Sequence, residues 1–478
     1  MDLAEARRQF PLVTEAGLQN LTRIREHALA PRWTHAIGDH VTAGDLQAVD
    51  AFRRELAAAR PAPRRGPPED LVERVAQLRE RVPLWLERIP QGFAIGRDWA
   101  FLPTTRREDL AAQLALSVPE DEPQDRLIVY ETSGTTGHAL RVPQHPRAVA
   151  KLHALAERAL GWHGCHVSEG PDGVACMNLH AQAHLWVYPS LFSVWREAGF
   201  ARLNLNANAW PGGLESPRQG TARGAPSGRS IRLERAGRFI EALSPGFVSG
   251  DPRSFCELLR LDCAVRPAAL LSTAVALAPS LRAKLEARFG CPVLDWYSTT
   301  ETGPIACSKP GAEGLAVLSH DLYVEVVDAE GLPIGEGERG EIVVSGGRNP
   351  FLPLLRYRTG DFARLVWAEG APWLVDLEGR AAVAFRAADG SPVNPVDVGR
   401  TLRQSFAVLQ HEFVQRADGS CEAALRTAYG LPVDPATVAR ELQALFGEST
   451  RVEVRIDPTL GLERKAVPYR SELPLEET

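Results

Sequence analysis

Between residues 127 and 300, short apolar runs of strand length alternate with segments of helical periodicity. The strand-like runs are 127–130, 173–179, 247–250 and 269–273, and the helical segments are 148–160, 191–198, 254–261 and 280–289. An apolar run, a helix and a further apolar run form a βαβ unit, in which the two strands are parallel. Repetition of this unit predicts an α/β fold with a mostly parallel sheet, in which residues 127–130 form a buried strand.

The pattern changes from about residue 320 onward. Residues 322–327 and 340–345 are predicted to be strands of a hairpin region, with a turn at residues 329–331. A boundary follows near residue 378, and the chain beyond it has a βα pattern of its own. We therefore expect a large N-terminal domain over residues 1–378, which ends in a β-rich hairpin region, and a small α+β C-terminal domain over residues 379–478.

Charge and composition exclude several classes of protein. The chain of 478 residues has 54 Lys and Arg against 60 Asp and Glu, a net charge of −6, which disfavours binding to nucleic acid through phosphate neutralisation. The sequence contains no stretch of 18 apolar residues, which a membrane-spanning helix would need, and the N-terminus lacks an apolar signal core. The seven cysteines include no Cys-x-x-Cys pair. We expect a cytoplasmic protein with neither nucleic acid nor membrane as a partner.

A loop rich in glycine and threonine follows the first strand-like run. Residues 130–138 read Tyr-Glu-Thr-Ser-Gly-Thr-Thr-Gly-His. Glycines let the backbone curl so that several N–H groups point the same way, and the hydroxyls add donors, so this pattern is typical of a phosphate cradle. The loop is not a Walker A motif, because no Gly-Lys-Ser/Thr follows. A solvent-exposed Gly/Thr turn is the alternative.

Two further segments strengthen the nucleotide interpretation. Residues 295–303 read Asp-Trp-Tyr-Ser-Thr-Thr-Glu-Thr-Gly, and residues 355–361 read Leu-Arg-Tyr-Arg-Thr-Gly-Asp. Each segment places a carboxylate just after a strand-like run. An Asp at a strand end is suited to bind both hydroxyls of a ribose. A Glu near a phosphate cradle is suited to hold Mg²⁺, which prefers oxygen ligands.

In this order, the three segments resemble the motifs of the adenylate-forming superfamily, which contains acyl-CoA synthetases, peptide-synthetase adenylation domains and luciferases. Residues 102–110 and 290–293 are similar to motifs of its phenylacetate-CoA ligase branch, and residues 337–342 resemble its hairpin motif. The resemblance extends from about residue 95 to 470. It implies that ATP activates a carboxylic acid as acyl-AMP, with release of pyrophosphate, and that the acyl group then passes to a nucleophile.

The resemblance also implies roles for individual residues. The phosphates of ATP would be bound by the loop residues Thr132, Ser133, Gly134, Thr135, Thr136 and Gly137. The rest of the nucleotide would be bound by Ser272 and Thr273 at the adenine-binding strand end, Tyr297 against the adenine, Thr300 at the α-phosphate, Asp361 at the ribose, and Arg380 at the ribose or a phosphate. Glu301 would hold Mg²⁺.

A catalytic lysine is implied in the C-terminal domain, which in this superfamily is mobile. Residues 460–470 resemble the final motif, usually Gly-Lys-x-x-Arg, and Lys465 is the candidate, although Arg464 replaces the glycine. The alternative for Lys465 is a solvated lysine in a basic tail. At the hinge, Ala382 stands where the superfamily has Asp or Lys. Both departures bear on the second step, in which the acyl group passes to the nucleophile.

The expected substrate is a small aromatic carboxylic acid, with polar substituents as an option. Its pocket would be lined by Asn178, His180, His184 and Trp186, which are too polar for a fatty-acid tunnel. The alternative for the histidines is local hydrogen bonding. The expected acceptor is the thiol of CoA or of the pantetheine arm of an acyl carrier protein. An amine or other nitrogen nucleophile is the alternative, and a non-catalytic nucleotide-binding module is the competing class of protein.

Overall fold

The computed structural model describes residues 2–58, 66–131, 140–181, 186–205, 210, 228–346, 348–379, 385–393, 397–399, 401–402, 406–428, 431–461 and 469–473. The chain forms two compact units. The first contains Met1–Thr42, Gly164–Leu294 and Ala384–Thr478, and the second contains Ala43–His163 and Asp295–Val383. No helix in the described ranges is both long enough and apolar enough to span a membrane.

The helices are, in chain order, α1 (Leu3–Gln9), α2 (Glu15–Arg25), α3 (Ala43–Ala58), α4 (Glu69–Arg79), α5 (Pro83–Arg88), α6 (Arg107–Ala112), α7 (Pro146–Trp162), α8 (Gly228–Leu243), α9 (Pro252–Arg260), α10 (Pro279–Phe289) and α11 (Pro435–Phe446). The strands are β1 (Ile128–Glu131), β2 (Arg141–Gln144), β3 (Val174–His180), β4 (Tyr188–Phe192), β5 (Ala198–Asn204), β6 (Phe247–Gly250), β7 (Ala269–Thr273), β8 (Val293–Thr299), β9 (Gly303–Cys307), β10 (Leu315–Val317), β11 (Leu322–Val327), β12 (Arg339–Gly346), β13 (Leu354–Ala368), β14 (Ala371–Glu378), β15 (Phe385–Arg386), β16 (Pro392–Val393), β17 (Val408–Gln415), β18 (Cys421–Thr427), β19 (Val452–Ile456) and β20 (Tyr469–Ser471).

A parallel sheet organises the first unit. Its strand order is β7-β6-β3-β5-β4, and all neighbours are parallel except β4, which runs antiparallel to β5. Alternate side chains such as Met177, Leu179 and Val248 point to one face and join a hydrophobic core with Phe239 of α8 and Leu285 of α10. The predicted α/β architecture with a parallel sheet is confirmed.

The predicted helix over residues 191–198 is wrong. The segment contains the end of β4, a single 3₁₀ turn and the start of β5. Arg196 and Glu197 have positive φ values of 52° and 65°, which reverse the chain so that β4 and β5 pair as antiparallel neighbours. A short apolar run fits a strand as well as it fits a helix, and here pairing with β5 decides the outcome.

An antiparallel sheet forms much of the second unit, with the order β11-β12-β13-β14-β10-β9-β8. Its core includes Ile305, Val324, Ile342 and Leu374. The predicted hairpin of residues 322–327 and 340–345 corresponds to β11 and β12, which pair antiparallel. Strands β8 and β13 of this β-rich region position the predicted site residues Tyr297, Glu301 and Asp361.

The predicted buried strand at residues 127–130 is a surface hairpin strand instead. β1 pairs antiparallel with β2 in a two-stranded sheet. The side chains of Val129 and Tyr130 remain exposed, at 48% and 42%. Four apolar residues in a row are too few to distinguish a central strand from an edge hairpin, because both need β-branched and aromatic residues.

The C-terminal stretch of the first unit has its own small sheet, in the order β19-β18-β17-β20, together with α11. Strands β17 and β18 form an antiparallel hairpin, and β19 and β20 join it in parallel. Phe385, Phe413, Phe446 and Tyr469 are buried against one another. This is the α+β composition that the sequence predicts. The division into domains 1–378 and 379–478 stays a prediction.

Candidate active site

In the second unit, two sequence motifs exchange hydrogen bonds. Tyr297 on β8 donates its hydroxyl to Oδ2 of Asp361 on β13, at 2.8 Å. In the other direction, Tyr357 on β13 donates to Oε1 of Glu301, just beyond β8, at 3.0 Å. Each motif therefore contributes one tyrosine donor and one carboxylate acceptor. The two carboxylates to which we assigned nucleotide chemistry are held by the same pair of segments.

Glu301 is only 3% exposed, and it is stabilised by a cation as well as by Tyr357. Nη1 of Arg107, in α6, lies 3.3 Å from Oε1 of Glu301. A buried carboxylate needs such partners to offset its loss of hydration. Both contacts are made by Oε1 and neither by Oε2.

These contacts fit a Mg²⁺ ligand, because Oε2 of Glu301 is a hard oxygen donor that neither contact uses. In the part of the chain that is described, no group of three or more His, Cys, Asp and Glu side chains is arranged to hold a metal ion. A Mg²⁺ ion at Glu301 would therefore take most of its ligands from nucleotide phosphates and water.

Asp361 lies at a bulge within β13 rather than at the strand end that the sequence predicts, and this bulge is held by its own neighbours. The N–H of Asp361 donates to Oγ1 of Thr359 at 3.1 Å, and the N–H of Gly360 donates to Oε1 of Glu341 at 3.0 Å. Gly360 has a φ of 77°, in the region that favours glycine. Arg358 forms an ion pair with the same Glu341. The Thr-Gly-Asp sequence thus forms a fixed bulge within β13, with the carboxylate of Asp361 directed to Tyr297.

Arg356 anchors the start of this motif in the core, and sequence reasoning assigned it no role. Its guanidinium is buried and donates to three backbone carbonyls and to Glu325 at 3.2 Å. Glu325 also accepts from the indole N–H of Trp99 at 3.0 Å. Burial raises the pKa of Glu325, and Arg356 and Trp99 oppose that rise. An arginine inside an apolar strand run is the signal that could have identified this buried pair.

In the first unit, a polar cluster lies at the carboxyl end of the parallel strands. Nδ2 of Asn178 donates to Oγ of Ser249 at 2.8 Å, and Oδ1 of Asn178 lies 2.5 Å from Nε2 of His180. Because Oδ1 can only accept, Nε2 carries the proton and Nδ1 remains an acceptor in the neutral ring. Burial, reinforced by the charge of Arg202, lowers the pKa of His180, so the ring is neutral at pH 7.

The remaining described residues of the predicted site have separate surroundings. Ser272 is fully buried, and its hydroxyl has no hydrogen-bond partner among the described residues, whereas Thr273 beside it is half-buried. Trp186 is 57% exposed and stacks on His35, with ring centroids 4.7 Å apart. Thr300 is exposed, and its carbonyl accepts from the side chain of Gln144.

Several predicted residues lie outside the described residues. They are Thr132, Ser133, Gly134, Thr135, Thr136 and Gly137 of the phosphate loop, His184, Arg380, Ala382, Arg464 and Lys465. Their roles stay predictions. Within the described ranges, the structure joins Tyr297 to Asp361 and Asn178 to His180. It adds Arg107 and Tyr357 as partners of Glu301, and Ser249 as a partner of Asn178.

Comparison with known proteins assigns the family. A family model described as AMP-binding enzyme matches residues 95–349. The chain belongs to the AMP-binding enzyme family. The match confirms the family that the sequence motifs predict, and it includes the Tyr-x-x-Thr-Glu motif at residues 297–301.

Similarity to individual relatives is local. The chain is 33% identical over 92 residues to a phenylacetate-coenzyme A ligase of Escherichia coli (strain K12), a region that is 18% of this chain and 21% of that protein. It is 27% identical over 180 residues to a naringenin synthase of Pestalotiopsis fici, which is 33% of this chain and 7% of that protein. The chain therefore spans less than a quarter of the length of either relative.

Similarity of fold is broader. A crystal structure of 2-hydroxyisobutyryl-CoA ligase in the postadenylation state has a TM-score of 0.60 to this chain, at 16% identity, and covers 84% of this chain and 88% of that one. A second structure of the same ligase, with 2-HIB-AMP, has a TM-score of 0.56. These comparisons show that this AMP-binding family member shares the fold of an adenylate-forming ligase.

Proposed function

We propose that the protein uses ATP to activate a carboxylic acid as acyl-AMP and then transfers the acyl group to a nucleophile. In the first step a carboxylate oxygen attacks the α-phosphorus and pyrophosphate leaves. The observation that carries the proposal is the exchange of hydrogen bonds between Tyr297 and Asp361 and between Tyr357 and Glu301. These hydrogen bonds orient two carboxylates, and the chain belongs to a family described as AMP-binding enzymes. Together the two facts support a nucleotide site.

The chain's own residues would contribute position and charge rather than covalent chemistry. Asp361, oriented by Tyr297, accepts the ribose hydroxyls, and Thr300 contacts the α-phosphate. Glu301 holds Mg²⁺, which when bound neutralises charge on the phosphates. Lys465, in a mobile C-terminal domain over residues 379–478, stabilises the charge that develops on the acyl and phosphate oxygens.

We propose an aromatic acid as the substrate, selected by Asn178, His180, His184 and Trp186. The relative from Escherichia coli is named as a ligase of phenylacetate, which supports an aryl acid. Asn178 and His180 are hydrogen-bonded to each other, and their remaining polar atoms could not hydrogen-bond to a long alkyl chain. Matched aryl and alkyl acids, tested with ATP for thermal stabilisation, decide the point. Stronger stabilisation by medium or long fatty acids would overturn it.

We propose the thiol of CoA, or of a carrier protein's pantetheine arm, as the acceptor. The relatives named phenylacetate-coenzyme A ligase support CoA. A nitrogen nucleophile is the second candidate, because Ala382 and Arg464 replace residues that the superfamily usually has at the hinge and before the catalytic lysine.

Two measurements test the proposal. The first is pyrophosphate release with ATP, Mg²⁺ and a panel of aryl and alkyl acids, with Asp361→Asn at subsaturating ATP as the matched control of reduced activity. We expect release with at least one aryl acid. Tight binding of ATP with no release from any acid would instead identify a nucleotide-binding module.

The second measurement is mass spectrometry of the products with CoA or an amine present. If acyl-AMP persists in the presence of CoA and is consumed only when the amine is added, the acceptor is a nitrogen nucleophile and not a thiol.

A further inference from the structure

One face of the parallel sheet carries a row of polar side chains. Asn178 on β3 is the register partner of Arg202 on β5 and of Ser249 on β6, and Arg202 is also the partner of Tyr188 on β4. Register partners point to the same side of a sheet, so these four residues form one row across four strands. The row lies toward the carboxyl end of β3 and β5, where ligands bind in open α/β sheets.

A polar row is unusual on such a sheet. Parallel strands are normally apolar on both faces, because helices or other elements cover them. In this unit the opposite face does join the hydrophobic core, through Met177, Leu179 and Leu203. Asn178, Tyr188 and Arg202 in the row are half-buried, and a bound polar molecule suits this face because it can hydrogen-bond to them.

Arg202 has donors that the described residues do not use. Its Nε atom is buried and has no hydrogen-bond partner among the described residues, whereas another part of the Arg202 side chain hydrogen-bonds to Tyr188. Its polar neighbour is the phenol of Tyr188, whose pKa is raised by burial while Arg202 opposes that rise. A half-buried guanidinium whose buried Nε–H is unused is suited to donate to an oxygen atom of a ligand.

His180 supplies the complementary group. It lies two residues after Asn178 on the same strand, so it shares the face of the row. Its Nε2 is committed to Asn178, which leaves Nδ1 as an acceptor. The row therefore offers a donor at Arg202 and an acceptor at His180. An oxygen that both accepts and donates, which is a hydroxyl, matches this pair.

We propose that this row selects a hydroxylated carboxylic acid, whose hydroxyl oxygen accepts from Arg202 and whose hydroxyl proton is donated to Nδ1 of His180. The hydroxyl lies away from the carboxylate that is activated. The inference rests on the proposed function, which it refines by naming a substituent. It assigns specificity to Arg202, a residue that no sequence motif includes.

The test compares acids that differ only at one ring position, which bears a hydroxyl, a methyl or a second carboxylate. For each acid, kcat/KM for pyrophosphate release is measured with the wild type, with Arg202→Met and with Arg238→Ala. Met keeps the apolar stem and removes every donor, whereas Arg238 is an exposed arginine of α8 and serves as the control. We expect the wild type and Arg238→Ala to favour the hydroxyl over the methyl by about 10- to 100-fold. In Arg202→Met the ratio should fall to about one.

Thermal-shift binding of the same acids, measured with each variant, decides the inference even if no acid releases pyrophosphate. Loss of hydroxyl-dependent stabilisation in Arg202→Met supports the row as the selecting surface. A preference for the hydroxyl that survives in Arg202→Met would overturn the inference and leave the proposed function intact. A preference for the second carboxylate, abolished in Arg202→Met, would overturn the hydroxyl assignment. Absence of pyrophosphate release from every acid would count against the proposed function alone.

Discussion

Replacing Tyr357 by Phe removes one hydroxyl and retains the ring that fills the core. Tyr357 and Glu301 are 1% and 3% exposed, so water cannot replace the lost donor at Oε1. Among the described residues, the carboxylate then keeps only the contact to Arg107, at 3.3 Å. A hydrogen bond to a buried charged group contributes about 1.5–3 kcal/mol, and we expect the free energy of unfolding to fall by that amount without any ligand.

The same substitution should weaken the use of Mg²⁺. If Glu301 holds the ion, Tyr357 orients its carboxylate, and loss of such an outer partner typically lowers metal affinity or activity by about 10- to 100-fold. The assay is pyrophosphate release at saturating ATP and acid, measured as a function of free Mg²⁺. The Mg²⁺ concentration at half-maximal rate should rise in Tyr357→Phe while wild-type rates are approached at high Mg²⁺.

Tyr323→Phe is the matched control. Tyr323 is a half-buried tyrosine of the same unit, on β11, and its hydroxyl makes no hydrogen bond to a described residue. We expect this variant to match the wild type in urea denaturation and in Mg²⁺ dependence. If Tyr357→Phe shows the wild-type Mg²⁺ dependence and the wild-type unfolding midpoint, the orienting role of the hydroxyl is refuted.

Three further substitutions test the site and its support. Lys465→Ala should slow acyl-AMP formation by about 10²-fold or more, because a preorganised charge partner is lost; an unchanged single-turnover rate would show that the last motif is misplaced. Asp361→Asn should raise the KM for ATP by about tenfold or more, and an effect confined to the KM of the acid would contradict the ribose assignment. Glu325→Leu leaves the buried Arg356 guanidinium with its three backbone carbonyls and without a carboxylate counter-ion, so urea denaturation should show a loss of about 3–5 kcal/mol, and a loss below about 1 kcal/mol would contradict this account.

The chemistry of the nucleotide motifs can be read from the sequence because each motif is local. Gly360 takes a left-handed backbone at the bulge in β13, and Asp361 follows it directly in the chain. The strand-helix alternation of residues 247–289 is also local, since periodicity reports which face of each element is apolar. These features predict the family and the parallel sheet without knowledge of any long-range contact.

The partners of the site residues were decided only by the tertiary structure. Arg107 lies 194 residues before Glu301 in the chain, and no spacing rule connects two such positions. The same holds for the polar row, because Arg202 faces Asn178 and Tyr188 only after β3, β4 and β5 have paired. It holds also for residues 191–198, which form the connection between two strands because pairing between β4 and β5 satisfies the backbone groups on either side. Local sequence specifies turns and periodicity, whereas strand neighbours and buried ion pairs depend on how distant segments pack together.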